Sequence, residues 1–261
     1  MRAFSSSVLM LIGTILLLSP LVFPQPNNYA FPGPDVDLGP GATFSSGFHY
    51  MGGGGDTIYV LRTTTAASTY CHKSTDGGRT FSPGVQVNST PAGFYPSLRV
   101  DTAGMVYVAY QSGDADIYFT KSTDGGQSFI PALKVNDDTI PQTGQEKPVI
   151  AVNNKGQIFI AWRDQRNSAP QTHQTVFVSA SYDGGLNFIP NVQVNDSTTP
   201  MGGGIDIAAN DSSHVYVAWD PYSGPLFISR SSDSGGTFPV RTPVSTGVLS
   251  PSITVGGGLL E

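Results

Sequence analysis

An eight-residue segment that recurs four times constrains this chain more than any other feature. Ser74-Thr75-Asp76-Gly77-Gly78-Arg79-Thr80-Phe81 returns as Ser122-Thr123-Asp124-Gly125-Gly126-Gln127-Ser128-Phe129. It returns again as Ser181-Tyr182-Asp183-Gly184-Gly185-Leu186-Asn187-Phe188 and as Ser231-Ser232-Asp233-Ser234-Gly235-Gly236-Thr237-Phe238. The shared pattern is Ser-x-Asp-x-Gly-x-polar-Phe, at intervals of 48, 59 and 50 residues. Repetition at this period marks stacked units of similar structure.

Each box lies between two strand-like runs. Asp116 to Lys121, Val176 to Ser179 and Leu226 to Arg230 precede boxes; Val85 to Asn88, Leu133 to Asn136 and Val192 to Asn195 follow them. The box therefore reads as a hairpin turn, in which Asp accepts hydrogen bonds from nearby backbone N–H groups and glycine supplies positive φ. The closing Phe is expected to enter the core between neighbouring sheets. Because the acid is occupied by its own turn in every unit, Asp76, Asp124, Asp183 and Asp233 read as structural rather than catalytic. Two further strands complete a unit, as in Pro96 to Val100 with Val106 to Tyr110. Counterparts are Pro148 to Val152 with Ile158 to Trp162, and Ile205 to Ala209 with Val215 to Trp219. Nearly continuous apolar runs are expected where both faces of a strand are buried. Four strands per unit at this period indicate an all-β protein, a β-propeller of four-stranded antiparallel blades.

Composition agrees. The 261 residues include 31 glycines and 20 prolines, which suit many turns, and only 12% are charged. The net charge of −6 is spread out, with no Lys/Arg block to track a phosphate backbone, so nucleic acid is not an expected partner. One cysteine, Cys71, allows no intrachain disulfide, and with four dispersed histidines neither a metal site nor a cofactor is expected. Residues 1–30 read as a signal peptide or N-terminal anchor: Arg2, an apolar run from Val8 to Leu18, then Ser19-Pro20. No other membrane-spanning domain is expected, and a secreted or cell-envelope location follows.

The boxes resemble the Asp-box, or bacterial neuraminidase, repeats of sialidase-like propellers, over about residues 36 to 255. That family includes sialidases, other glycan-cleaving propellers and non-enzymatic receptors, so the resemblance implies fold better than function. It places Ser74, Asp76, Gly78 and Phe81 in the first box turn. Ser122, Asp124, Gly126 and Phe129 fall in the second, Ser181, Asp183, Gly185 and Phe188 in the third, and Ser231, Asp233, Gly235 and Phe238 in the fourth.

The ends hold parts of a closing blade. Ser250 to Val255 aligns with a first strand, and Asp35-Val36-Asp37-Leu38 resembles an outer fourth strand. Residues 31–261 thus read as a C-terminally incomplete propeller, or one that assembles with a partner, with six blades in the intact form by family resemblance. A complete five-bladed protein is the alternative.

With the boxes on one face, the opposite loop face gathers Tyr95, Arg99, Glu146, Lys147, Arg163, Asp164, Arg166, Asp206, Asp220 and Tyr222. Each could equally be a solvated loop residue or a strand-end hydrogen bond. Arg99 stands out because small residues Ala151, Ala208 and Thr254 occupy the matching places, so it asks for an anion or a pairing carboxylate. Asp206 is similarly distinct. Arg163-Asp164-Gln165-Arg166 could recognise an acidic sugar, or form a mutually paired surface cluster. Two functions follow: a non-catalytic module binding a glycan or an extracellular protein, or an exo-sialidase-type glycoside hydrolase. The resemblance implies three arginines, a Tyr nucleophile activated by Glu, and an Asp acid/base for a sialidase. The chain lacks the Arg-Ile-Pro element expected before the first box, which favours the binding module.

Overall fold

Consecutive apolar residues along the inner strands find cover on both sides. The computed structural model describes residues 37–38, 50–89, 93–139, 144–167, 174–196, 199, 201–221, 223–246 and 251–255. These residues form four antiparallel sheets of four strands, each built from strands consecutive in sequence. Blade 1 comprises β1 (Met51–Gly54), β2 (Thr57–Thr63), β3 (Thr69–Ser74) and β4 (Val85–Gln86). Blade 2 comprises β5 (Gly93–Val100), β6 (Val106–Ser112), β7 (Ile117–Ser122) and β8 (Leu133–Lys134). Blade 3 comprises β9 (Gln145–Val152), β10 (Ile158–Asp164), β11 (Thr175–Ser181) and β12 (Val192–Gln193). Blade 4 comprises β13 (Met201–Ala209), β14 (Val215–Pro221), β15 (Pro225–Ser231) and β16 (Val240–Thr246). No helix occurs among the described residues.

Three apolar clusters fill the three spaces between blades. Along β6, Val106, Val108 and Tyr110 pack with Tyr59, Leu61 and Cys71 of blade 1. The intervening Tyr107 and Ala109 pack with Ile158, Ile160 and Trp162 of blade 3. Phe159 and Ala161 in turn join Ile207, Val217 and Trp219 of blade 4. The period of two in a strand thus sends alternate residues into different cores. Cys71 is one of these packing residues, and burial pushes its thiol up to about 12, which leaves it unreactive at neutral pH.

The box turns share one hydrogen-bond pattern. In the second, Asp124 Oδ1 accepts from Ser122 Oγ at 2.7 Å and from Ser128 N at 2.9 Å, while Oδ2 accepts from Ser128 Oγ. Ser122 Oγ also accepts from Gly126 N at 2.8 Å, so one hydroxyl ties the turn at two points. The fourth box repeats this with Ser231, Asp233, Gly235 and Thr237. The glycine at the fifth position of the box sits at φ between 85° and 90° in all four boxes (Gly78, Gly126, Gly185 and Gly235), a left-handed conformation that disfavours other residues. Gly185 has a further reason to lack a side chain: a Cβ there would lie 2.3 Å from the ring of Phe119 in the preceding blade. The closing aromatics Phe129, Phe188 and Phe238 pack against the cores between blades, as expected. Phe81, Phe129, Phe188 and Phe238 are half-buried rather than fully enclosed, and Phe188 covers the edge of a core by meeting Phe119 edge-on at 5.4 Å. Room between the sheets is already taken by the inner strands.

A second repeated residue completes the turn. Asn88, Asn136 and Asn195 each accept a backbone N–H from the start of the preceding strand, from Thr69, Ile117 and Val176 at 2.8, 2.7 and 2.6 Å. Asn88 and Asn195 begin Asn-x-Ser/Thr sequences, but their side chains are buried in this clamp. Blade 4 has no such asparagine, and its outer strand runs on for seven residues.

Neither expected closing strand appears among the described residues. Asp37 and Leu38 lie in no strand, and Asp35 and Val36 fall outside the described residues. Residues 251–255 also form no strand, although Ile253 N donates to Asp206 Oδ2 on β13 at 2.8 Å, so the segment lies beside the first strand of blade 4. One such bond fixes a position without making a ladder. Residues 1–30 lie outside the described residues.

Two outcomes test the box geometry. Ser122→Ala strips a partner from both Asp124 and the buried Gly126 N–H, and is expected to lower the unfolding free energy by about 1–3 kcal/mol in urea titrations. Hydrogen bonds from Thr80 and then Ser74 hold the Asp76 carboxyl well below the usual carboxylate range; Ser122 and Ser128 do the same for Asp124. A depressed folded pKa gives stability that is present above the unfolded value near 4 and is lost as pH falls below it. The double variant Asp76→Asn with Asp124→Asn should therefore show a shallower fall of melting temperature between pH 5 and pH 2.

Candidate loop-face site

The loop face is shaped by an irregularity at the same place in three first strands. Register shifts fall between Phe94 and Ser97 in β5, opposite Ala161 and Arg163 in β9, and between Met201 and Ile205 in β13. A bulge of this kind breaks the ladder and re-aims side chains. In blades 2 and 3 it holds non-glycine residues in left-handed backbone, Tyr95 at φ 46° and Lys147 at φ 55°. Each such residue costs about 1–2 kcal/mol, which the packed blades offset. In blade 4 the bulge is Gly202-Gly203-Gly204.

The bulges bring several expected residues together. Lys147 Nζ lies 5.6 Å from the centre of the Tyr95 ring, within cation–π range. Next to it, Arg163 Nη1 stands 3.9 Å from Glu146 Oε1, and Arg163 Nη2 lies 3.5 Å from the carbonyl of Gly202 in the next blade. Gln174 Nε2 also donates to Glu146. Burial, and then the positive charge of Arg163, pull the Lys147 ammonium below its ordinary pKa. Tyr95, Glu146, Lys147 and Arg163 thus combine an aromatic face, two cations and one carboxylate on neighbouring strands.

Arg99 and Asp206 form a separate pair. They come from the first strands of blades 2 and 4, and Arg99 Nη2 stands 4.0 Å from Asp206 Oδ1. A pairing carboxylate of the kind that this arginine asks for is thus within reach. Asp206 is itself buried and also accepts from Ile207 N at 2.8 Å and from Ile253 N.

Asp164 and Arg166 are paired within the fold. Asp164 is buried and accepts from Trp162 Nε1 at 2.8 Å, Arg166 N at 2.8 Å and Arg166 Nε at 2.9 Å. Arg166 also binds Asp137 at 2.6 Å and Asn191 at 2.9 Å, and stacks 4.3 Å above Phe177. Asp137 and Asn191 exchange backbone N–H donors between blades 2 and 3, so this guanidinium bolts two blades together. The cluster is mutually paired, as one of the two sequence readings has it, but it is largely buried rather than a surface feature, and Arg163 does not share it. Asp220 is buried at the end of β14, and Tyr222 lies outside the described residues. Sequence reasoning does not reach Gln174 or the three glycines; the glycine run standing where other blades carry Glu146 and Lys147 is the signal for them.

A cleft of about 710 Å³ opens elsewhere, between blades 1 and 2 on the box face. Its two acids are engaged locally. Asp124 serves its box, and Asp101 accepts from Ala103 N, Met105 N and Tyr107 Oη. We favour the loop face because Tyr95 and Lys147 meet there from bulges of different blades, whereas the acids of the cleft are bound to their own turns. No group of three or more His, Cys, Asp or Glu side chains suited to a metal ion occurs among the described residues.

No protein-family model and no curated protein matches this sequence. Solved structures do match in fold. A Hadza microbial sialidase, Hz136, is 14% identical with a TM-score of 0.54, over 77% of this chain and 47% of that one. The GH93 α-L-arabinofuranosidase of Fusarium graminearum is 16% identical with a TM-score of 0.54, over 75% and 66%. A family 117 glycoside hydrolase of Zobellia galactanivorans, Zg3597, is 12% identical with a TM-score of 0.52, over 82% and 75%. A PL25 ulvan lyase is 13% identical with a TM-score of 0.53, over 71% and 52%. The chain thus spans about half the length of the sialidase and the lyase.

Removing the guanidinium bolt should be costly. Arg166→Ala leaves the buried Asp164 without its cation and is expected to destabilise the protein by about 3–5 kcal/mol in equilibrium unfolding. At the identities found, the likeness to solved structures is one of fold: the chain has the architecture of the propeller glycosidases and lyases.

Proposed function

We propose that this chain is the recognition face of a secreted or cell-envelope propeller of the Asp-box, sialidase-like kind, and that it binds an acidic glycan without cleaving it. The meeting of Tyr95 and Lys147 from strand bulges of adjacent blades, with Arg163 close by on β10, carries this reading. An aromatic face suits a sugar ring, and two cations beside it suit a carboxylate. A fold shared with carbohydrate-active enzymes supports the ligand class. Among those fold neighbours, a PL25 ulvan lyase has been solved bound to a repeat of GlcA and Rha3S. The apolar N-terminal run supports export.

The sialidase alternative gains nothing from the arginines. Arg99 and Arg163 are each near a carboxylate of the chain, Asp206 and Glu146, and Arg166 serves the blade interface. No three of them converge on one space.

Calorimetry with uronate-containing and neutral oligosaccharides tests the proposal. The uronate series should bind more tightly, and Arg163→Gln or Lys147→Gln should each weaken it about tenfold to a hundredfold, as expected for a charge-assisted hydrogen bond. Uronate affinity unchanged from wild type in both variants would remove these residues from the site. A fluorogenic sialoside should show no turnover above a buffer blank from acid to neutral pH; measurable turnover would overturn the non-catalytic reading.

A further inference from the structure

The glycine bulge of blade 4 holds two buried acceptors that no described donor meets. Asp220, only 4% exposed, stands across β13 from Gly202–Gly204, with Oδ2 so close to Gly203 that a Cβ there would lie within 1.9 Å of it. Only a glycine admits the carboxyl at this point. Asp220 Oδ2 is buried and accepts no hydrogen bond. On the other side of the same strand, Gln174 forms a β-bridge with Met201 and donates Nε2 to Glu146. That donation fixes the amide orientation, since its oxygen would repel the carboxylate, and it leaves Gln174 Oε1 buried with no donor. Burying acceptors in this state is unfavourable unless something donates to them.

The chemistry of the surroundings selects the donor. A metal ion would need more oxygens than these, and the nearby Gly202 carbonyl already faces the cationic Arg163. Neutral O–H donors meet no such conflict. We propose that Asp220, Gln174 and the Gly202–Gly204 bulge form a hydroxyl-recognition subsite, which takes two hydroxyl groups of the sugar ring whose carboxylate is held by Lys147 and Arg163. This subsite rests on the glycan reading above. Burial also raises the Asp220 pKa, as expected for a carboxyl with no donor beside it.

The test uses the full chain with methyl β-D-glucuronide, methyl β-D-glucoside and the monodeoxy derivatives of both, measured by calorimetry and by carbon NMR of labelled aspartate carboxyls. Asp220→Asn keeps the size of the group but exchanges an acceptor for a donor, and should weaken both parent sugars about tenfold. It should leave the preference for glucuronide over glucoside unchanged, since that preference belongs to Lys147 and Arg163. At least one deoxy sugar should bind wild type as weakly as its parent binds Asp220→Asn, and should lose little more in that variant. Gln174→Met provides the same comparison if Asp220→Asn fails to fold. In wild type, saturation with glucuronide should shift the titration of the Asp220 carboxyl. Sugar binding that is unaltered in both variants, with no shift of that carboxyl, would overturn the subsite and assign the slot to internal water only. If no sugar binds wild type at all, the glycan reading fails first and takes the subsite with it.

Discussion

Apolar side chains on both faces of a strand can be covered only by a sheet on either side. This constraint organises the molecule. Because β6 sends Val108 one way and Ala109 the other, blade 2 cannot be stable without blades 1 and 3, and blade 3 depends in the same way on blades 2 and 4. Stability of this kind is a sum over interfaces between neighbours. It also explains the polar stitches, which run from one blade to the next. Lys121 Nζ donates to the Gly184 carbonyl, and Tyr182 Oη to that of Ser234.

The loop-face site is a by-product of the same stacking. Inner strands that pack side by side bring their ends close together, so a bulge in each of β5, β9 and β13 projects a residue toward its neighbours. The device is constant while its content varies: Tyr95 in one blade, Lys147 in the next, three glycines in the third. A repeated scaffold can therefore differ in chemistry at one position without altering its cores, because the bulge residue lies off the ladder that the cores require.

Much of the fold is legible in the sequence because periodic features repeat. Ser122, Asp124 and Gly126 act within one turn, so their spacing along the chain is already their geometry. The alternation of Val106 to Tyr110 likewise contains its own burial pattern. The site is less legible, since its contacts join distant blades. Nothing near Arg166 in sequence announces Asn191 or Asp137, and nothing near Arg99 announces Asp206. Arg163 and Arg166 are close neighbours on the chain, yet one reaches the next blade's bulge and the other locks the previous interface. Gln174 escapes a sequence reading because its importance comes from a single bridge to Met201. The closing segment is the opposite case: residues 251–255 have the pattern of a strand and lie beside blade 4, but pattern alone does not supply a ladder partner among the described residues.

The absence of the asparagine clamp in blade 4 has a consequence for solubility. Where Asn88, Asn136 or Asn195 ends pairing early, the outer strand is only two residues long and offers little backbone to another molecule. β16 instead presents seven residues at the edge of its sheet, with Val240 and Val244 about half exposed. Such an edge invites strand addition and aggregation. Two residues of β16 counter that tendency. Pro243 removes an N–H in the middle of the strand, and Arg241 lies over Phe227 while binding Asp196, placing a charge at the edge. Without its clamp, blade 4 depends on these two side chains to keep its rim from acting as a template.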